Sequence, residues 1–185
     1  PETLCWPTND SGVVSFKLEL LSKANGLLHD AAHDALSDVY ATIALAKLIK
    51  QKQPDLYQYA YSLRDKNKVK ALINVAQRKP ILHVSSRFPV SRGCAGLMLP
   101  LAEHPTNKNS VIAYDLSEDP TPLLELSAEE IAERLYVKQA NLPESISRIP
   151  LKEIHFNKSP MVATVKLLDE KSAQRLGIDK STCEA

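Results

Sequence analysis

Apolar and polar residues follow one another along this chain with two different periods. Up to about residue 74 the apolar positions recur at helical spacing. Ser15 stands as N-cap for a helix over 16–24, with Leu18, Leu20 and Leu21 as core positions and Asn25-Gly26 as its stop. A longer helix is predicted over 35–49, running out into the basic and polar stretch 47–53. Its segment 39–46 carries no charge, and a helix apolar on nearly every side is a buried one. Pro54 stops it and opens the next, a short helix over 55–62. That helix carries Tyr57, Tyr59 and Tyr61, which at alternate positions cannot all face one side, so at least one is exposed. A further helical turn is predicted over 66–74. Beyond it, short apolar or alternating runs at 81–85, 96–102, 110–116, 151–156 and 160–165 read as strands of a small barrel or sheet. A helix over 127–136 interrupts them, with Ser127 as N-cap and Glu130 completing a capping box. A last short helix over 168–176 stops at Gly177, and residues 1–14, rich in Pro, Asn, Asp and Gly, read as loop.

The pattern is that of an α+β chain in two parts, 1–53 and 54–185. The net charge of +1 over 185 residues rules out a global polycation, but the local balance is uneven. Between 62 and 92 stand Arg64, Lys66, Lys68, Lys70, Arg78, Lys79, Arg87 and Arg92, with Asp65 the only acid; from 93 to 150 acids outnumber bases. Clustered bases near tyrosines suit a single-stranded nucleic acid, charge following phosphates and rings stacking on bases. A solvated helix face has the same composition. Cys5, Cys94 and Cys183 are far apart and form no C-x-x-C pair, which argues against zinc and thiol redox chemistry and fits reduced thiols in a cytoplasm. No apolar run is long enough to span a bilayer and no secretory signal is present, so no membrane partner is expected. The chain opens on Pro1 without a plausible first strand and is expected to be a piece of a longer protein, its second part truncated at the C-terminal end.

The candidate chemistry lies at His33 and Asp38. If segment 39–46 is buried, Asp38 enters the core as a carboxylate, which must be neutralised, paired or metal-bound. With Asp34 as N-cap, His33 precedes the helix and can fold back over its first turn. A carboxylate that holds an ion beside a histidine that takes a proton from water suits metal-assisted hydrolysis. Asp34 and Asp38 are equally compatible with first-turn acids favoured by the helix dipole, and His33 with an ordinary polar residue.

The flanking sequence separates these readings. Ala32-His33-Asp34-Ala35 through Asp38-Val39-Tyr40-Ala41-Thr42 resembles the third motif of the DnaQ-like, or DEDDh, exonucleases. Trp6-Pro7-x-Asn9-Asp10, Ser15-Phe16-Lys17-Leu18-Glu19, Ser22-Lys23-Ala24-Asn25-Gly26, His83-Val84-Ser85 and Arg175-Leu176-Gly177-Ile178 extend the resemblance, in matching order, to bacterial exonuclease I. The resemblance implies the C-terminal helices of a ribonuclease H-like exonuclease domain, followed by an SH3-like β-barrel domain with inserted helices. It implies a 3′-to-5′ exonuclease that degrades single-stranded DNA to nucleoside 5′-monophosphates by two-metal hydrolysis, in DNA repair and recombination, in the bacterial cytoplasm. In the family four carboxylates hold two Mg²⁺ ions, with Mn²⁺ as a substitute. Asp38 matches one of those ligands and His33 the base, whereas no Asp-x-Glu strand is found in this chain to supply the others. The piece alone is therefore expected to be inactive.

By the same resemblance Phe16 stacks a base, and Lys17 replaces the family's usual arginine at a substrate contact. Lys66, Asn109, Tyr136, Lys152 and Asn157 match further DNA contacts. Tyr59 and Lys79 match a surface that binds the acidic tail of single-stranded-DNA-binding protein, where Thr164 and Asp169 stand in place of glutamine and arginine. The intact enzyme is implied to be a monomer. The alternative is a non-catalytic nucleic-acid- or protein-binding module that retains a nuclease remnant.

Overall fold

The computed structural model describes residues 4–9, 11–27, 35–135, 137–179, 181 and 183. Helix α1, Leu18–Ala24, begins two positions later than the pattern predicts. The Ser15 hydroxyl accepts the Lys17 N–H (3.4 Å), leaving Lys17 extended as the residue before the helix. Phe16 and Lys17 therefore sit on its lead-in. Gly26, at φ +66°, closes the helix, and the Leu27 N–H reaches back to the Ser22 carbonyl at 2.9 Å. Of the three leucines predicted to be core, Leu21 alone is buried.

Helix α2, Ala35–Lys52, departs further from expectation. Ala41 is its one buried residue, while Leu36, Val39, Tyr40 and Ile43 are exposed, Tyr40 by 62%. Asp38 is half-buried in the first turn rather than in the core. The reason is tertiary: α2 packs against α1 and against α3, Pro54–Ser62, and two short helices cover only part of an apolar circumference. On α3 the tyrosines divide as helical spacing requires. Tyr57 and Tyr61 share one face, while Tyr59 turns to the sheet and donates its hydroxyl to the Val162 carbonyl at 2.8 Å. Helix α4, Lys66–Leu72, is capped by Asp65, whose carboxylate accepts the Asn67 N–H.

All five predicted strand sites form strands: β1 Ile81–Val84, β2 Ala95–Glu103, β3 Ser110–Asp115, β4 Leu151–His155 and β5 Met161–Thr164. They build one antiparallel sheet in the order β4-β3-β2-β1-β5. Both edge strands contribute to the same core. Ile154 and Val162 join Ile81, Met98, Val111 and Ala113, so the sheet curls around one inner face. Leu63, Val69 and Ile73 from the α3–α4 region cover that face. Pro100 fits in the middle of β2 because β1 pairs only with 95–98, so past that point no ladder bond is asked of the missing N–H.

Two short helices follow β3. The first, α5, Thr121–Glu125, was not foreseen by the pattern. The second, α6, Ala128–Leu135, carries the expected capping box: the Ser127 N–H donates to Glu130 (2.9 Å) and the Glu130 N–H to Ser127 (3.3 Å). Helix α7, Glu170–Arg175, is capped by Asp169 and brings Ala173 against the outer face, where Leu97, Leu168 and Ile178 form a second, smaller core.

Candidate nucleic-acid interface

The turn that leaves β1 builds one wall of a groove. Its serine, Ser85, accepts the Arg87 N–H on its hydroxyl (3.3 Å) and the Phe88 N–H on its carbonyl (3.0 Å), which folds Phe88 back beneath the sheet's inner face. The Phe88 ring is buried against Gly96, where a Cβ would come within 2.8 Å of it, and His83 meets it edge-on at 5.9 Å. Two cations lie over the ring: Lys152 Nζ at 5.4 Å and Arg92 Cζ at 5.5 Å.

Lys152 projects inward from β4 on the same side as Ile154, by the two-residue repeat of a strand. Its ammonium donates to the Ser85 hydroxyl at 3.1 Å, across the width of the sheet. Partial burial, with the charge of Arg87 added, holds its pKa below the usual lysine value. Arg92 is paired with Asp115 at 2.7 Å and also donates to Ser117. His83 donates from Nδ1 to the Met161 carbonyl (3.0 Å), yet burial dominates and pushes its pKa down to about 4, so its ring is neutral at physiological pH. Around these groups opens a groove of about 800 Å³, bounded by residues 85–89 on one side and 147–155 on the other.

The predicted contact residues distribute unevenly. Lys152 lies inside the groove. Asn157 follows β4 on an exposed turn, and the Asn109 carbonyl accepts the Phe156 N–H at 2.7 Å, so these two are brought together at one end of the β3–β4 ladder. Lys66 is exposed on the first turn of α4. Phe16 and Lys17 belong to the α1 region; Phe16 is 43% exposed and meets Trp6 edge-on at 5.8 Å. Tyr59 spends its hydroxyl on Val162 and its ring on the inner core, while Lys79 is exposed. Thr164 is exposed at the end of β5, and Asp169 is the cap of α7. His33 and Tyr136 lie outside the described residues, as does Asp34.

Among the described residues, no three His, Cys, Asp or Glu side chains converge to hold a metal ion. Asp38 is the one carboxylate on α2, so the described residues do not make a two-ion centre. The pattern also left two features unseen. Arg148 lines the groove from a loop that, as sequence, shows only one base among polar residues. On α3, Tyr57 and Tyr61 stack at 6.3 Å, with Lys50 (5.7 Å) and Arg64 (3.6 Å) over their outer faces. Spacing of four residues was the available signal for that pair.

Comparison with known proteins agrees with this architecture. Residues 64–185 match the family described as the exonuclease I SH3-like domain. The exodeoxyribonuclease I of Escherichia coli K12 is 48% identical over 183 residues, covering 99% of this chain and 38% of its own length. The crystal structure of Escherichia coli exonuclease I in complex with a dA16 oligonucleotide superimposes with a TM-score of 0.93 at 48% identity, over all of this chain and 39% of that one. The zinc-bound form of the same enzyme with single-stranded DNA superimposes at 0.92, with 47% identity over the same shares. The chain thus spans under two-fifths of the length of the proteins it matches. No helix among the described residues is long and apolar enough to cross a membrane.

Proposed function

The chain belongs to the exonuclease I family, and from that premise we propose that it serves a 3′-to-5′ exonuclease that hydrolyses single-stranded DNA to nucleoside 5′-monophosphates in repair and recombination. The observation that supports this reading is Lys152, a cation held inside a groove by Ser85 and placed over the Phe88 ring, at a position that the resemblance matches to a DNA contact. A cation so fixed loses little entropy when it meets a phosphate. Phe16, exposed beside Trp6, would stack a base; Lys17, Lys66, Asn109, Tyr136 and Asn157 would add contacts to the strand.

In the intact protein Asp38 would be one ligand of a divalent pair, Mg²⁺ or in its place Mn²⁺, and His33 the base that takes a proton from water. The other carboxylates would come from the part of the relatives that this chain does not span. The division near Pro54, between the end of a nuclease domain and an SH3-like domain, is supported by Tyr59, which ties α3 to β5. Lys79 and Tyr59 would offer a surface to the acidic tail of single-stranded-DNA-binding protein, in a bacterial cytoplasm, with the enzyme acting as a monomer.

The test uses end-labelled single-stranded DNA and the intact enzyme. Asp38→Asn is expected to abolish release of 3′ nucleotides while leaving DNA binding in place, because it removes a metal ligand and no phosphate contact. Near-normal turnover in that variant would remove Asp38 from the centre. The single carboxylate at α2 also favours a second reading, a binding module with a nuclease remnant. DNA binding without any measurable hydrolysis in the intact wild-type protein would support that one.

A further inference from the structure

Two arginines stand on opposite walls of the groove that holds Lys152. Arg87 is on the turn after β1, and Arg148 on the lead-in to β4. In the sheet β2 and β3 lie between those strands, and Met98 of β2 lies on the groove floor, so the two walls face each other across the curled inner face. The charges lining the groove are Arg87, Arg92, Arg148, Lys152 and Lys158 against Asp115, Glu118 and Glu153. Two of the acids are engaged locally. Asp115 pairs with Arg92, and Glu153 accepts from Ser110 (2.5 Å) and Asn107 (3.0 Å) beside His155. Five bases against three acids leave the groove with a net positive charge, and such a groove concentrates anions.

Both arginines are exposed, Arg87 on a main chain held by Ser85 and Arg148 by its own guanidinium. The Ser85 hydroxyl accepts the backbone N–H of Arg87 as well as the Lys152 ammonium, which holds the main chain that carries Arg87 beside Lys152. The Arg148 guanidinium donates to the Leu135 carbonyl at 2.7 Å, which steadies the other wall. Burial, with the charge of Arg87 added, lowers the pKa of Lys152. Phe88, the aromatic ring at this point, is buried with cations over it, so it presents no face for a base. The groove is therefore suited to phosphates rather than to nucleobases, and the guanidinium fork suits their geometry.

We infer that Arg87 and Arg148 clamp the phosphodiester backbone of single-stranded DNA from opposite walls of this groove, with Lys152 between them. The inference rests on the DNA-degrading reading above and adds two contacts to it. A clamp made only to phosphates holds every sequence alike and lets the strand slide, as degradation from an end demands.

The probe is a fluorescein-labelled oligothymidylate of about 12 nucleotides, with affinity for the chain read by anisotropy over a salt series. The Arg87→Ala/Arg148→Ala double variant is expected to lower the slope of log affinity against log salt by about 0.7 to 1 for each arginine. Lys171→Ala, at an exposed position of α7 outside the groove, leaves the slope unchanged. Circular dichroism melting of the double variant matches wild type, since both side chains are exposed. A double variant with the wild-type slope overturns the clamp and leaves the single-strand reading standing. A wild-type chain with no salt-dependent affinity overturns both. If the double variant keeps the oligonucleotide slope but no longer captures an acidic peptide, the groove is a peptide site and the clamp falls.

Discussion

The Tyr59 hydroxyl donates to the Val162 carbonyl at 2.8 Å, and that bond joins helix α3 to the edge strand β5 across 103 residues of sequence. Burial raises the pKa of this phenol above its ordinary value, so it remains a donor throughout the working pH range. Tyr59→Phe removes the donor and leaves the carbonyl unsatisfied in a partly buried place. The expected cost is about 1 to 2 kcal/mol, read as a lower urea midpoint at unchanged m-value. Tyr61→Phe, on the exposed face of the same helix, is expected to stay within about 0.5 kcal/mol of wild type.

Gly96 faces Phe88 so closely that an added Cβ would lie 2.8 Å from the ring tip. The ring is pinned by His83 at its edge and by Lys152 and Arg92 over its face. Gly96→Ala is therefore an overpacking change worth about 1 to 3 kcal/mol, seen in thermal denaturation. Adding Phe88→Leu is expected to restore part of the loss. If the single variant melts like wild type, the turn after β1 is looser than the structure shows.

His83 gives the fold a pH dependence of definite sign. Burial lowers its folded pKa from the ordinary 6.5 to about 4, so the unfolded chain binds the proton more readily. Its contribution to stability is complete above about pH 6.5 and is lost progressively towards pH 4. The full difference is on the order of 3 kcal/mol. Urea midpoints measured over this range should fall with pH in wild type, and less steeply in His83→Phe. Parallel curves for the two proteins would show that His83 titrates normally.

His33 is the proposed base in the intact enzyme, and His33→Ala should cost a factor of about 10² to 10⁴ in hydrolysis. The loss should shrink at high pH, where hydroxide replaces the activated water. A loss independent of pH would assign the residue a positional role instead.

Local chemistry by itself determined much of this protein. Strand sites followed from alternation because a strand has period two whatever it packs against. The Ser127–Glu130 box and the Gly26 and Gly177 stops followed from hydrogen-bonding geometry within a few residues. The family could be read from short motifs, those around His33 and Asp38 among them, because such motifs are local in sequence. Burial was another matter. The uncharged run 39–46 reads as a core helix, yet Tyr40 and Val39 are exposed, because periodicity says which face is apolar and not whether anything covers it. The division of three tyrosines between core and surface, the order β4-β3-β2-β1-β5, and the meeting of Ser85 with Lys152 all depend on contacts between residues far apart in sequence. Such contacts form only when the sheet curls, so the groove and its facing arginines were decided by the tertiary structure alone.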